Sequence, residues 1–266
     1  MTSLVEGGYP AAALAYYRGG MHDWVSLAMP NPAGRGRVAS SVSEDRKPQT
    51  QRNHWEQAFA AHPMMYGELA SAPAQHAIGL FRADRAQHVL ELGAGQGRDS
   101  LALLDAGFTV TALDYAESAL RELRVRAERA GSAGRLRLAQ HDVRLRLPLP
   151  DSSVDAVFSH MLFCMALTTA ELVTLSAEVA RVLRPGGLHV YTVRHIGDAH
   201  YEQGMAHGDD RYESGGFIVH FFDRALVDKL AVGFDVLDVE DFEEGELPRR
   251  LWRITERRGS SERPDR

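Results

Sequence analysis

The chain has 266 residues, 44% apolar and 25% charged, with a formal net charge of −6 and a single cysteine, Cys164. The length suits one α/β domain with extensions or two small domains, and the composition is that of an ordinary globular protein. No apolar run approaches the roughly 20 residues of a membrane span, no basic-then-apolar leader opens the chain, and one cysteine excludes an internal disulfide. A cytoplasmic protein without a membrane partner is expected. The acidic balance argues against a nucleic-acid partner, because the one basic stretch, residues 121–129, is broken by glutamates and reads as a solvated helix face.

Residues 1–50 are rich in Gly, Pro, Ala and Ser without sustained periodicity and read as a loose arm. Residues 51–84 read as a helical cap. Trp55, Ala58, Phe59 and His62 fall at helical spacing before Pro63, and a second helix runs from Pro73 to Phe81. Over residues 85–258 strands and helices alternate. His88 to Leu92 is a strand, Arg98 to Ala106 a helix closed by Gly107, and Phe108 to Leu113 a strand. Ala116 to Ala130 is a helix, Leu136 to His141 a strand, Val154 to Ser159 a buried strand, and Thr169 to Leu183 a helix broken by Pro185-Gly186-Gly187. Leu188 to Val193 is the next strand.

A long glycine-bearing loop is then expected over about 194–222, where this architecture places acceptor sites and lids. Asp223 reads as the N-cap of a helix to about Ala231. Phe234 to Val239 and Leu251 to Thr255 can pair as a hairpin, and residues 259–266 read as a disordered tail. The alternation predicts an α/β fold, a doubly wound and mostly parallel sheet with one antiparallel edge strand.

In such a sheet ligands bind beyond the carboxyl ends of the strands. There the first strand runs into Glu91-Leu92-Gly93-Ala94-Gly95-Gln96-Gly97, glycines that let the backbone turn sharply and approach a ligand. By itself the turn is compatible with a dinucleotide or with S-adenosylmethionine (SAM). Arg98 stands where a dinucleotide fingerprint has its third glycine, and Glu91 suits a cationic ammonium better than a pyrophosphate, which favours SAM. Asp114 ends the second strand roughly 20 residues on, placed to accept from both ribose hydroxyls. Tyr115 beside it offers a face to adenine or is a surface tyrosine. Asp142 ends the third strand and either takes the adenine amino group or closes an Asx-turn.

These segments, with Val154-Asp155-Ala156-Val157-Phe158-Ser159 and Arg181-Val182-Leu183-Arg184-Pro185-Gly186-Gly187, resemble the class I SAM-dependent methyltransferase family over about residues 85–195. The resemblance implies seven strands, the last antiparallel, with SAM as cofactor. It implies that Glu91, Gly93, Ala94, Gly95 and Gly97 hold the methionine portion, Asp114 the ribose, and Asp142 with Val143 the adenine. Ser159, His160 and Met161 would border the transfer centre.

The acceptor is less constrained. Ser159-His160-Met161-Leu162-Phe163 is not the Asn/Asp-Pro-Pro-Tyr/Phe signature of amino-group methylation on bases and glutamine. One cysteine argues against an arsenite methyltransferase, and the acidic charge against tRNA or rRNA. Size and aromatic entry helix resemble, loosely, the tellurite-resistance and thiopurine methyltransferases, so a small-molecule O, N, S or heavier chalcogen acceptor is expected. A protein-substrate methyltransferase and a non-catalytic SAM-binding protein are the alternatives, and an NAD-linked oxidoreductase is a third. His160 and His195 are the candidate catalytic residues. Met161, Tyr201, Tyr212, Trp55 and Tyr66 are the candidate acceptor pocket. His195, His200, His207 and His220 with Asp209 and Asp210 match no compact metal pattern, so no metal is expected. Cys164 reads as a small buried apolar residue.

Overall fold

The computed structural model describes residues 47–245 and 249–260. In chain order it runs α1 (Lys47–Ala61), α2 (Ala72–Ala83), β1 (His88–Leu92), α3 (Arg98–Asp105), β2 (Thr109–Asp114), α4 (Glu117–Arg129), a short 3₁₀ turn, and β3 (Leu136–Gln140). It continues with β4 (Val154–His160), α5 (Thr169–Val182), β5 (Leu183–Arg194), β6 (Met205–Ala206), β7 (Arg211–Ser214), β8 (Phe217–His220), α6 (Arg224–Leu230), β9 (Phe234–Glu244) and β10 (Arg249–Arg258). Most of the expected arm, residues 1–46, and residues 261–266 of the expected tail lie outside the described residues.

Seven strands form one sheet in the order β3-β2-β1-β4-β5-β10-β9. β1 pairs in parallel with both β2 and β4, so strands are added in opposite directions on its two sides. The connections after β1 and β4 therefore diverge and open a crevice beyond their carboxyl ends. β10 runs antiparallel to both neighbours, β5 and β9, so the antiparallel pair closes this edge of the sheet. Both of its strands run longer than expected. In β9 Val236, Val239 and Phe242 pack against the core, while Asp238, Glu240 and Asp241 are exposed on this edge strand.

The helices start where local chemistry satisfies their free amides. Ser71 caps α2 by accepting from the Ala74 N–H, and Asp223 caps α6 through Leu226. Thr168 and Glu171 form a reciprocal capping box at α5. Alternate sheet residues then fill two layers. Leu90, Leu92, Val157 and Val193 pack under Leu172, Leu175 and Val179 of α5 with Val227 and Leu230 of α6. Val89, Val110, Phe158 and Val190 pack under Phe81 of α2, Leu103 and Leu104 of α3, and Leu123 of α4. Each such fully buried side chain is worth about 1.5–3 kcal/mol.

The segment after β5 is not the loop expected. It holds a second, three-stranded antiparallel sheet, β6-β7-β8. Its tight turn is Gly215-Gly216, with φ of 59° and 85°, between paired Ser214 and Phe217. Two left-handed residues give the hairpin a twist that matches its strands, which glycine adopts at no steric cost. The β7–β8 hairpin clasps α1. The Gln51 amide donates to the Gly216 carbonyl at 2.7 Å, and the Phe217 ring lies 4.8 Å from that of Trp55.

Candidate active site

A cavity of about 220 Å³ opens above the carboxyl ends of β1, β2 and β4. Its floor is the glycine turn. Gly93, Gly95 and Gly97 have φ of 73°, 50° and 81°, the left-handed region that side chains resist. Space compounds the requirement. A Cβ on Gly93 would stand 3.1 Å from Leu162, one on Gly95 3.3 Å from Phe59, and one on Gly97 would overlap the Leu123 side chain.

Two carboxylates flank this turn. Glu91 is buried, 3% exposed, and accepts a short hydrogen bond from Ser100. Burial, reinforced by nearby Asp99, pushes its carboxyl well above the usual range. Asp114, at the end of β2, accepts from the Gly95 N–H and the Ala116 N–H, both at 2.8 Å. Burial still raises its pKa, because those two donors offset only part of the lost solvation. Each oxygen of Asp114 retains a further lone pair for a ligand.

Asp142, Val143 and Tyr115 line the next stretch of wall. Arg144 grips Asp142 through two side-chain bonds of 2.9 and 2.8 Å and one from its own N–H at 3.1 Å. Although burial opposes ionisation, these bonds hold Asp142 below its ordinary range. The Asx-turn is thus present, on a carboxylate that also faces the cavity.

At the other end stand His160 and Met161, where β4 stops. Met161 adopts φ of 63°, a strained conformation for a non-glycine residue, and its N–H donates to Thr192 Oγ1. His160 Nδ1 lies 2.8 Å from the same hydroxyl, and its Nε2 lies 3.5 Å from Glu244 Oε2. Burial alone would raise the Glu244 pKa, but the neighbouring imidazole holds it at about 2. Arg249, the first residue of β10, completes this end.

The roof comes from the helical cap, where Trp55, Phe59 and Tyr66 face the cavity. Gln96, within the glycine turn, ties them down. Its amide nitrogen donates to the His62 carbonyl at 2.8 Å and to Glu122 at 2.7 Å, and its oxygen accepts the Met65 N–H at 2.7 Å. Gln96, Arg144, Glu244 and Arg249 join the site without a motif to mark them. A polar residue inside a glycine turn was the only available signal, and it pointed to Gln96 alone.

Four predicted residues fall elsewhere. Ser159 is fully buried inside the sheet, paired in register with Leu92 and Tyr191, and does not line the cavity. His195 continues β5 by bridging to Phe222. This turns its ring flat onto Trp252, 4.6 Å away, with Nε2 3.1 Å from Asp241. Tyr201 and Tyr212 pack edge-to-face around Phe221 within the insertion, and the Tyr201 hydroxyl donates to Asp210 at 2.8 Å. All three are held by the insertion and hairpin rather than by the site. Burial pushes the Cys164 thiol up to about 11, so it is un-ionised at neutral pH. Among the described residues no group of three or more His, Cys, Asp or Glu is arranged to hold a metal ion, and no helix is long and apolar enough to cross a membrane.

Comparison with known proteins agrees with this geometry. Residues 89–187 match the model of a methyltransferase domain. A probable SAM-dependent methyltransferase of Mycolicibacterium smegmatis is 31% identical over 138 residues, covering 52% of this chain and 44% of the relative. A malonyl-[acyl-carrier protein] O-methyltransferase of Methylococcus capsulatus is 45% identical over 104 residues, covering 37% of this chain and 34% of the relative. The chain thus spans less than half the length of either. In fold it resembles Burkholderia thailandensis 1,6-didemethyltoxoflavin-N1-methyltransferase, crystallised with 1,6-didemethyltoxoflavin and S-adenosylhomocysteine. The TM-score is 0.64 at 20% identity, over 84% of this chain and 94% of the other. The domain match falls on the glycine turn and on the strands that carry it, so residues 89–187 are similar to a methyltransferase domain, and the chain shares the fold of a SAM-dependent methyltransferase.

Proposed function

We propose that the protein transfers a methyl group from SAM to an O, N or S atom of a small molecule. The observation that carries this reading is the glycine cradle with a carboxylate at each side, Glu91 buried and Asp114 half-buried. Glu91 has no cationic side chain bonded to it, which leaves it for the ammonium of a methionine portion. Asp114 is fixed by two backbone amides with lone pairs to spare for vicinal ribose hydroxyls. Tyr115 and Val143 offer apolar faces to adenine, and Asp142, held ionised by Arg144, its amino group. The cradle fits SAM and leaves no room for side chains on its glycines.

The bound donor would supply a sulfonium-activated methyl for in-line displacement. The protein then has to orient the acceptor and exclude water. His160 and Met161 stand at the mouth of β4, where the acceptor atom would arrive. His160 Nε2 and Glu244 Oε2 stand 3.5 Å apart, so Glu244 would orient the imidazole, and an acceptor O–H or N–H brought beside the ring could pass its proton to this pair, the arrangement that general-base catalysis requires. A small acceptor is supported by the size of the cavity, by its cover of α1 and the β7–β8 hairpin, and by the small ligand in the similar Burkholderia enzyme.

Calorimetric titration with SAM, S-adenosylhomocysteine and NADH tests the donor assignment. SAM and its product are expected to bind and NADH is not, and the absence of SAM binding would sink the reading. Transfer of label from methyl-labelled SAM to a small-molecule panel tests turnover. Binding without transfer to any class would favour a non-catalytic SAM-binding protein.

A further inference from the structure

Arg249 stands apart from every other sequestered arginine. It is 5% exposed and lines the cavity, its Nε is buried without a partner, and its guanidinium makes no hydrogen bond or ion pair with any described residue. The contrast is internal to the molecule. Arg194 is paired with Asp198, Arg144 with Asp142, Arg181 with Glu178 and Arg253 with Glu240. Arg211, also buried, donates to the carbonyls of His207 and Gly208. The cross-strand partner of Arg249 in the β9–β10 register is Glu244, the natural counterion, yet that carboxylate is turned to His160. Glu244 offsets part of the Arg249 charge through space, but the guanidinium donors have no acceptor among the described residues, and an anion in the cavity would supply one.

We propose that Arg249 binds a carboxylate carried by the methyl acceptor. The inference rests on the methyltransferase reading for the word acceptor, and on Arg249 alone for the carboxylate. Its placement agrees. β10 is separated from β1 by β4 and β5, so Arg249 lies at the His160 end of the cavity and away from the glycine cradle. The fork of a guanidinium matches the two oxygens of a planar carboxylate. With Glu244 ionised beside the cationic Arg249, a bound carboxylate leaves this pair with one net negative charge and a phosphate dianion leaves it with two, which favours the single charge. The acceptor class is therefore a small carboxylic acid, oriented by its carboxylate with its reactive atom toward His160 and Met161.

The test uses the full chain, titrated with benzoate, hexanoate, the corresponding amides and inorganic phosphate, with and without S-adenosylhomocysteine. The carboxylates are expected to bind at least tenfold tighter than their amides and tighter than phosphate. Arg249→Gln should reduce the acid–amide ratio to near one, and Arg249→Lys should retain part of it. Affinity for S-adenosylhomocysteine should stay within about twofold in both variants. No acid preference in the unaltered protein, a preference for phosphate, or a preference that survives in Arg249→Gln overturns the proposal. The comparison on the unaltered protein decides the matter even if a variant misfolds. Should S-adenosylhomocysteine fail to bind while the Arg249-dependent acid preference persists, the donor reading falls and the carboxylate site stands.

Discussion

Replacing Glu91 by Gln separates the cost of the donor site from its use, because the two readouts should move in opposite directions. In the free protein the Glu91 carboxyl is buried near Asp99, and its pKa lies well above that of an exposed glutamate. A carboxyl with a raised folded pKa binds more protons folded than unfolded. Stability is then lost as pH rises from the unfolded value through the folded one. Gln keeps the shape and can accept the Ser100 hydroxyl as Glu91 does, but carries no charge to desolvate. The variant should therefore melt at the same temperature as the parent or higher, with the gain absent near pH 4 and growing toward pH 8. Binding should run the other way. A charged hydrogen bond to the methionine ammonium is worth about 1.5–3 kcal/mol, so SAM affinity should fall about 10- to 150-fold. Thermal melts across pH and calorimetric titration of SAM read the two effects. In the parent, titrations in buffers of different ionisation enthalpy should show proton release on binding, absent in the variant. Unchanged SAM affinity in Glu91→Gln would refute this account of the cradle.

Three further outcomes follow from the packing. Gly97→Ala meets both a left-handed φ of 81° and the Leu123 side chain, so about 2–5 kcal/mol of stability should be lost. In a domain of this size that lowers Tm by roughly 5–15 °C, read by calorimetry. Gln96→Ala removes the bonds to Met65, His62 and Glu122. Amide exchange over residues 62–66 should quicken while β1 and β2 stay protected, and SAM affinity should weaken. Between β5 and β10, His189 and Glu256 form a 2.8 Å pair with almost no exposure. His189→Leu strands a buried carboxylate and should cost about 3–5 kcal/mol, whereas His189→Leu with Glu256→Leu should recover most of it in a double-mutant cycle of denaturant melts.

The parts of this molecule legible in sequence are those fixed by neighbours along the chain. β1 ends where the glycines begin, α5 begins at a Thr168–Glu171 box, and α6 begins at Asp223, because caps and turns are local chemistry. The strands of the insertion are hidden in sequence because its charged and histidine-rich stretches mask a period of two. The signal was there in Gly215-Gly216 before Phe217-Ile218-Val219, a two-glycine turn leading into β-branched and aromatic residues. For His195, a strand end alone does not say which face a side chain takes. The bridge to Phe222 decides that, and it comes from the far side of the insertion.

The same division runs through the site. Glu91, the glycines and Asp114 sit at the ends of adjacent strands, so a short stretch of sequence encodes both the residues and their geometry. Glu244 and Arg249 come from the β9–β10 hairpin and reach His160 only because β10 inserts between β5 and β9. No spacing in the chain announces that meeting. The proposed donor half of the site is thus written along the sequence, and the proposed acceptor half is written across the sheet. On the carboxylate proposal, the charge balance at the far end of the cavity, an arginine with no hydrogen-bonded partner among the described residues beside a carboxylate that faces His160, therefore constrains the acceptor more tightly than any motif does.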